Sequence, residues 1–399
     1  MSKGAYVGVN GVARKIKKGY VGVGSIARKI KKAYIGVGGV ARPCWSSGEV
    51  AYYGTAESLS TTTYYYNVVG ASISNYGIFA HTSQIDAYDS SLTKTNATTL
   101  YVPSEGNRGL SATNNWDCAF FMVDSYRYRY LSKYDNSLTV TNINVGNGAS
   151  TNLYNNVVAN PNYLCIISGR DSSYTDNETG DSGYGTSIET FYYDSSMTKT
   201  SSTSTNSIAT SLGNAVGCAS VGDYALCAGG WQYTSSSSGG TTYRPTVYAI
   251  DSSLTRSTPS SLSSARMKPH GMTVGDNALF IGGRTSGVSN TVDIYNSALT
   301  RTTGSVSSSR FNGATTTNNG FGIIAGGSSS STALQSNVEL FDEALTRIII
   351  EPLSSNRNAL GAASVGNYFL IAGGHTTASL NTSYLKDDSV TTVDVYTVT

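Results

Sequence analysis

The side chains that most often bind metals or transfer protons are rare in this 399-residue chain. It has three histidines, His81, His270 and His375. His81 and His375 follow apolar runs near the two ends of a repeat array, so a shared metal site is one interpretation. No carboxylate or thiolate is spaced to complete such a site, and a loop histidine is more often a polar surface group. We therefore expect neither a metal nor a cofactor.

Carboxylates are the second group that could carry chemistry. A glycosidase needs two opposed carboxylates, and several acids lie between the apolar runs, but the sequence does not pair them. The acidic stretch from Asp171 to Asp181 has calcium-type ligands, although its spacing does not match an EF-hand loop. A solvated polar loop is the alternative for this stretch. No catalytic set of residues emerges, and we predict a protein that is not an enzyme.

The third group is the thiols. The five cysteines are Cys44, Cys118, Cys165, Cys218 and Cys227. Their number is odd and no two have CxxC spacing, which argues against a disulfide framework or a zinc site. Three of them fall inside apolar runs, where cysteine packs as a small hydrophobic residue. We expect buried thiols.

The elements that must position these residues repeat seven times along the chain. Each copy has a short apolar run, usually ending in Gly-Gly, and then a segment of the type aromatic-Asp-Ser-Ser-Leu-Thr. The second segments recur every 45 to 59 residues, at Tyr88-Asp89, Tyr134-Asp135, Tyr193-Asp194, Ile250-Asp251, Tyr295-Asn296, Phe341-Asp342 and Tyr396-Thr397. A unit of this size cannot bury its own apolar face, so the copies must stack into one closed array.

One copy shows the strands of a whole unit. Strand a is predicted near 311–315, strand b at 321–325, strand c at 338–341 and strand d after Leu345 to Ile350. Four antiparallel strands make one propeller blade, and the Asp or Asn of each copy can cap the turn before strand d. The fold class is therefore all-β, a seven-bladed β-propeller. Because the seventh copy lacks strand d, we expect residues 50–59 to complete the last blade.

The connections between strands b and c are long in three copies, at residues 170–187, 231–245 and 375–389. All b–c connections of such meanders emerge on one face of the ring. Rigid aromatic rings among small polar residues are typical of recognition surfaces, although neutral drift of tolerant loops is the alternative. The candidate ligand-binding aromatics are Tyr174, Tyr184, Trp231, Tyr233 and Tyr243.

Arginines recur near the start of strand a, around the mouth of the central channel. They are Arg108, Arg266, Arg310 and Arg357. They could bind an acidic ligand, and we count Arg266, Arg310 and Arg357 as candidate ligand-binding residues. Alternatively, they donate hydrogen bonds to the carbonyls of adjacent blades.

The first 45 residues differ from the rest in charge. Residues 1–42 carry ten Lys or Arg and no acid, whereas the remainder carries seventeen basic and twenty-five acidic residues. Copies of a 14-residue repeat centre on Asn10-Gly11, Gly24-Ser25 and Gly38-Gly39, which are tight-hairpin dipeptides. The candidate docking residues are Arg14, Lys15, Lys17, Lys18, Arg28, Lys29, Lys31, Lys32 and Arg42.

Three interpretations of this basic segment remain open. It could contact nucleic acid, form a solvated strand face in which Lys blocks edge pairing, or dock on an acidic protein surface. We expect docking, which would also stabilise hairpins that have little core of their own. The predicted domains are therefore a basic β-hairpin attachment module at 1–45 and the propeller at 46–399.

Two resemblances add to these predictions. The order of strands, Gly-Gly and Tyr over residues 50–399 resembles kelch repeats. The phrase Tyr-Val-Gly-Val-x-Gly-Val-Ala-Arg-Lys-Ile-Lys-Lys resembles a repeat in structural proteins of phages that infect Gram-positive bacteria. The second resemblance implies a virion protein of the tail or baseplate, assembled in the bacterial cytoplasm.

As such a virion protein, the chain would bind other virion proteins through residues 1–45 and a host-surface glycan or protein through the propeller. The alternatives are a decorative capsid or collar protein and a propeller enzyme acting on cell-wall glycan. No apolar run reaches 18 residues, so we expect no membrane span, and the N-terminus has no apolar signal core.

Overall fold

The structure is a computed structural model of the whole chain. It describes residues 6–9, 12–15, 19–23, 26–30, 32–37, 40–46, 50–60, 68–81, 83–100, 107–125, 128–147, 153–175, 182–201, 216–233, 241–377 and 388–398. Only the backbone is described before residue 50 and at residues 107–109, 124–125, 128, 146–147, 153–155, 168–175, 182–189, 201, 232–233 and 241. Strands are the regular elements of these residues. None of the described residues belongs to a helix long and apolar enough to cross a membrane.

The basic N-terminal repeat forms three two-stranded antiparallel hairpins, one in each copy. The strands are β1 (Tyr6–Val9) with β2 (Val12–Lys15), β3 (Gly19–Val23) with β4 (Ile26–Ile30), and β5 (Lys32–Val37) with β6 (Val40–Ser46). In each hairpin the two residues between the paired strands are the dipeptide that the sequence indicates as a turn.

Within the described residues, seven four-stranded antiparallel sheets follow, and we call them blades 1 to 7. Blade 1 contains β8 (Val69–Ser72), β9 (Gly77–His81), β10 (Gln84–Tyr88) and β11 (Lys94–Ala97). Blade 2 contains β12 (Asn107–Asn115), β13 (Cys118–Ser125), β14 (Tyr128–Tyr134) and β15 (Val140–Asn147). Blade 3 contains β16 (Leu153–Ala159), β17 (Leu164–Thr175), β18 (Ser182–Tyr193) and β19 (Lys199–Ser201).

The later blades keep the same order. Blade 4 contains β20 (Gly217–Val221), β21 (Tyr224–Ala228), β24 (Val247–Ile250) and β25 (Arg256–Ser257), with an inserted hairpin of β22 (Trp231–Tyr233) and β23 (Thr241–Tyr243). Blade 5 contains β26 (His270–Val274), β27 (Asn277–Ile281), β28 (Thr291–Asn296) and β29 (Arg301–Ser305). Blade 6 contains β30 (Ala314–Asn318), β31 (Phe321–Ala325), β32 (Val338–Phe341) and β33 (Arg347–Ile350). Together the seven sheets confirm the predicted all-β, seven-bladed propeller.

The ring closes in blade 7, which contains β34 (Gly361–Val365), β35 (Tyr368–Ala372), β36 (Val393–Val398) and, as its outer strand, β7 (Val50–Ala56). Strand β7 pairs antiparallel with β36, so Val50 faces Val398 and Ala56 faces Val393. A strand from each end of the propeller sequence therefore shares one sheet. This pairing covers an edge of β36 that would otherwise expose unpaired backbone groups.

The core is divided among the junctions between blades. In the described residues, each pair of consecutive blades shares one buried apolar cluster, as Leu279 and Ile281 of blade 5 do with Ile324 of blade 6. Inner strands approach so closely that a Cβ on Gly271 would lie 1.6 Å from the Cys218 carbonyl oxygen. The inner strands surround a central cavity of about 490 Å³.

The turn before strand d shows why the Asp-Ser-Ser-Leu-Thr segment recurs. Asp89 Oδ1 accepts hydrogen bonds from the backbone N–H groups of Ser91 at 2.8 Å and Thr93 at 3.0 Å. Leu92 adopts a φ of 62°, and its side chain packs against the core between blades 7 and 1. Equivalent positive φ values occur at Leu138, Met197, Leu254, Leu299 and Leu345. The acid thus stabilises a strained turn through its side-chain oxygen, as the sequence predicts.

Candidate functional site

The b–c connections and the segments that lead to each strand a lie on one face of the ring, which we call the upper face. The predicted strand a of blade 6 begins too early, because Phe311 forms only an isolated bridge with Ser328 and the strand starts at Ala314. In blade 3 the long connection is largely strand, since β17 and β18 pair out to Thr175 and Ser182. Because strand a of blade 6 starts only at Ala314, the segment before it, which includes Phe311, contributes side chains to the upper face.

Three of the candidate arginines are buried clamps between blades. Arg310 exposes none of its side chain, and its Nη2 lies 2.6 Å from Glu339 Oε1 in blade 6. Its Nη1 also donates to the carbonyl oxygens of Gly326 and Asn337, at 3.1 and 3.2 Å. The backbone of Arg310 meanwhile bonds to blade 5, accepting from Gly283 N at 3.0 Å. One residue therefore holds two blades together.

The same clamp occurs on both sides of this junction. Arg266 Nη2 lies 2.7 Å from Asp293 Oδ2, and Arg357 Nη2 contacts Asp394. Both arginines are at most 1% exposed. The structure therefore places Arg266, Arg310 and Arg357 away from solvent, which corrects their expected position as ligand-facing groups and supports the carbonyl-bonding alternative. A buried guanidinium forms such clamps because its planar donors can bond carboxylate and carbonyls together.

The carboxylate partners of these clamps were missed in the sequence, although a signal exists. An acid stands two residues before the aromatic of strand c in four copies, at Asp86, Asp293, Glu339 and Asp394. All four are fully buried. An acid at a fixed position of an apolar strand indicates a buried ion pair, because an unpaired carboxylate there would be costly.

In blade 1 a histidine takes the place of the arginine as the partner of the buried carboxylate. His81 Nε2 lies 2.8 Å from Asp86 Oδ2, and both side chains are fully buried. Ser60 N also donates to Asp86 Oδ2, at 2.8 Å. Burial by itself would raise the pKa of Asp86, but hydrogen bonds from His81 and Ser60 outweigh it and hold that pKa below its usual value. His81 is thus part of the junction at which the ring closes.

The other two histidines also lie near the upper face. His375 Nδ1 lies 3.4 Å from Asp388 Oδ1, whereas His270 Nε2 accepts a hydrogen bond from Gly313 N at 3.1 Å. Burial, together with the nearby Arg310 and Lys268, lowers the pKa of His270 to about 3, so this ring is neutral near pH 7. Among the described residues, no group of three or more His, Cys, Asp or Glu side chains could hold a metal ion.

The inserted hairpin of blade 4 carries three of the candidate aromatics. Trp231 pairs with Tyr243 across the hairpin. Trp231 is only 7% exposed, because it packs with Met267 and Phe311, and Tyr243 lies partly buried against the same cluster. Trp231 is therefore not the exposed ring that the sequence suggests. Instead it fixes the hairpin to the segments that enter blades 5 and 6.

Two cations that no sequence pattern indicated lie beside this cluster. Lys268 Nζ lies 5.7 Å from the centroid of the Phe311 ring, and the Cζ of Arg284 lies 5.0 Å from the same centroid. Met267 and Arg284 exchange backbone hydrogen bonds of 2.9 and 3.0 Å. Lys268 and Arg284 are both partly exposed. Two cations, an aromatic floor and a fixed hairpin wall make this the candidate site.

The remaining candidates are only partly described. Tyr174, Tyr184 and Tyr233 lie on described strands, but their side chains are outside the described residues, as are those of the basic residues of β2, β4, β5 and β6. Lys17, Lys18, Lys31 and residues 176–181 of the acidic stretch also lie outside the described residues. The docking and calcium hypotheses therefore stay predictions.

The cysteines of the propeller are thiols. Cys118, Cys165 and Cys227 are buried, and Cys218 is partly exposed toward the central cavity. Cys218 and Cys227 face each other on β20 and β21, with their Sγ atoms 3.6 Å apart. Burial and the two neighbouring thiols raise the pKa of Cys227, which keeps that thiol protonated and unreactive.

The comparisons with known proteins bear on the fold. No protein-family model matches the sequence, and no curated protein matches it. A similar solved structure is "Structure of YjhT", with a TM-score of 0.50 and 12% identity, covering 74% of this chain and 98% of that chain. At this identity the likeness shows a shared fold alone, and it agrees with the propeller described above.

Proposed function

We propose that this chain is a phage virion protein, associated with the tail or baseplate, that docks through residues 1–45 and presents a kelch-like propeller for adhesion to the host surface. The observation that carries the proposal is the 14-residue basic repeat, which forms three hairpins ahead of a closed propeller. The resemblance of that repeat to repeats in phage structural proteins supplies the virion context.

The upper face supports the adhesive part of the proposal. Binding residues are often found on connections that a rigid scaffold holds in place. The Trp231–Tyr243 hairpin is held in this way, because its tryptophan packs on Met267 and Phe311. Lys268 and Arg284 place charge beside these rings. Aromatic and cationic groups on a fixed framework suit recognition with little loss of entropy on binding.

Docking is tested in the full-length chain by neutralising the basic repeat. A variant carries glutamine at Arg14, Lys15, Lys17, Lys18, Arg28, Lys29, Lys31, Lys32 and Arg42. The matched control exchanges Lys for Arg and Arg for Lys at the same positions, so that the charge is kept. We expect assembled particles to incorporate the control and to lack the glutamine variant. Equal incorporation of both proteins would refute charge-based docking.

Adhesion is tested with purified full-length protein and intact host cells. We expect the protein to sediment with the cells and to compete with particles for adsorption. If particles that lack the protein adsorb normally, the chain is a decorative component instead. If the protein releases soluble fragments from cell-wall glycan in repeated turnovers, the enzymatic alternative replaces the adhesive one.

A further inference from the structure

Three cysteine thiols meet where blades 3 and 4 pack together. Cys165 of β17 and Cys227 of β21 belong to one buried apolar cluster, and Cys218 of β20 packs against that cluster. The Sγ atoms of Cys218 and Cys227 lie 3.6 Å apart, and the Cys165 thiol is also close enough to hydrogen-bond with Cys227. Two sulfur atoms of one blade are therefore in contact without a covalent bond between them.

The register of blade 4 places Cys218 directly opposite Cys227, on the neighbouring strands β20 and β21. Opposed residues of an antiparallel pair alternate between positions that exchange backbone hydrogen bonds and positions that do not. Ser220 lies two residues after Cys218, and both of its backbone groups bond instead to Thr273 Oγ1 of blade 5, at 3.2 and 2.6 Å. Ser220 and, by the alternation, Cys218 therefore lie at positions that exchange no backbone hydrogen bonds with β21.

A position of this kind suits a disulfide. The Cα atoms of two opposed residues without backbone hydrogen bonds lie about 4.5 Å apart. Disulfides span Cα distances of about 4.4 to 6.8 Å, so the bond needs no large movement of the two strands. The remaining approach of the Sγ atoms, from 3.6 Å to a bond length of about 2.05 Å, is left to rotation of the two side chains.

The two thiols differ in their access to small molecules. Cys227 is fully buried, whereas Cys218 is partly exposed and lines the central cavity of about 490 Å³. The same cavity is also lined by small residues such as Ser220 and Gly271. A small oxidant in the cavity therefore meets Cys218 first.

We propose that Cys218 and Cys227 are a thiol pair that a low-molecular-weight disulfide oxidises to a cross-strand disulfide. In the first step the thiolate of Cys218 attacks one sulfur of the oxidant RSSR, forms a mixed disulfide and releases RS⁻. Cys227 then gives its proton to water, attacks Cys218 Sγ and releases the second RS⁻. The two RS⁻ ions take up the two protons that the cysteines lose. Two thiols and one RSSR thus yield one protein disulfide and two RSH, and two electrons pass from the cysteines to the oxidant.

The burial of Cys227 fits the second step rather than the first. Burial and the neighbouring thiols raise the pKa of Cys227, so a free oxidant finds little thiolate there. In the second step the target sulfur already lies beside Cys227, and such proximity offsets a small thiolate fraction. The inference does not rest on the proposed function. If that function holds, the pair is reduced during assembly in the cytoplasm and meets oxidants outside the cell.

The test incubates dilute, native full-length protein with 2-hydroxyethyl disulfide, a small uncharged oxidant. The remaining thiols are then blocked with an alkylating reagent in denaturant. Cleavage before Asp223 separates Cys218 from Cys227. Mass spectrometry should therefore find the two peptides linked to each other, and a reductant should release them.

Two serine variants report the order of the steps. Cys227→Ser should stop the reaction at the mixed disulfide, so that Cys218 carries one half of the oxidant. In Cys218→Ser, Cys227 should be modified at least about tenfold more slowly than Cys218 is in the other variant, because its thiol is buried and protonated. Cys118→Ser is the matched control, because Cys118 packs in a different cluster and should leave the link unchanged.

The result for the native wild-type protein does not depend on how the variants fold. A link between Cys218 and Cys227 supports the inference. The inference is overturned if both cysteines are still alkylated after the incubation, or if Cys227 is linked to Cys165 instead. Equal rates of modification in the two serine variants would overturn the assignment of Cys218 as the thiol that reacts first.

Discussion

Replacing Arg310 by methionine tests whether the buried clamps hold the ring together. The substitution leaves Glu339 fully buried, with hydrogen bonds from Ser307 N and Oγ at 2.9 Å each and with Arg347 3.7 Å away. It removes the 2.6 Å charge-assisted contact. Removing one partner of a buried ion pair costs about 3–5 kcal/mol, because the other charge stays buried without compensation.

The matched control is Arg347→Met. Arg347 contacts the same carboxylate, but its side chain is 36% exposed and lies 3.7 Å from Glu339. Solvent screens such a contact, so the free energy of unfolding should fall by less than about 1 kcal/mol. The comparison holds the carboxylate constant and changes only the burial of the cation.

The double variant Arg310→Met/Glu339→Gln completes a thermodynamic cycle. Glutamine keeps an oxygen that can accept from Ser307, and no buried charge is left. We therefore expect the double variant to be no less stable than the worse single variant, which corresponds to a coupling of about 3 kcal/mol.

Urea unfolding followed by circular dichroism measures Arg310→Met, Arg347→Met, the single variant Glu339→Gln and the double variant against the wild type. The clamp account fails if Arg310→Met costs no more than Arg347→Met. It also fails if the two single effects at the buried pair add within about 0.5 kcal/mol, the scatter that independent sites show.

Three further predictions concern packing, a tyrosine hydrogen bond and acid stability. Gly271→Ala should destabilise the propeller by about 3 kcal/mol or more, because the new Cβ would lie 1.6 Å from the Cys218 carbonyl oxygen. The control is Gly287→Ala, where no atom lies within 4 Å of the added Cβ. In the same urea assay its free energy of unfolding should stay within about 0.5 kcal/mol of the wild type. Tyr295→Phe should cost about 1 kcal/mol, because the hydroxyl donates to a backbone carbonyl oxygen at 2.7 Å; a loss near zero would mean that this bond adds no stability. The pKa of Asp86 is held below its usual 3.8, so the stability it provides is present above that pH and is lost as the pH falls through the folded-state pKa. Asp86→Asn should therefore flatten the loss of stability below about pH 4 in acid titrations, and an unchanged acid limb would contradict the assignment.

The parts of the fold that could be predicted are those that depend on residues close together in the sequence. The Asp-Ser-Ser-Leu-Thr segment predicts its turn because Asp89 bonds to residues two and four positions later. Alternating apolar strands and tight turns are equally local, so the number of blades and the order of strands could be predicted. Residues 50–59 were expected to complete the last blade, and within them Val50–Ala56 forms the strand that pairs with β36.

The candidate site could be predicted only in part. The sequence indicated a long connection at residues 231–245 and made Trp231 a candidate ligand-binding ring, whereas the structure forms a hairpin there and packing on Met267 and Phe311 buries that ring. It also offered two roles for the strand a arginines and could not choose between them. The choice depends on Asp293, Glu339 and Asp394, each 27 to 37 residues away along the chain. Contacts over such distances depend on how neighbouring blades pack.

By itself, the amino-acid order determined a ring of repeated antiparallel sheets and a basic segment ahead of it, because strand periodicity, turn chemistry and charge are properties of neighbouring residues. Only the tertiary structure decided which cations contact buried carboxylates. Lys268 stands two residues after Arg266, which corresponds to Arg310 in the next repeat. Arg310 nevertheless contacts a buried carboxylate, whereas Lys268 and Arg284 both lie close to the ring of Phe311. That difference arises because each connecting segment bonds to one blade through its backbone and reaches the next through its side chains.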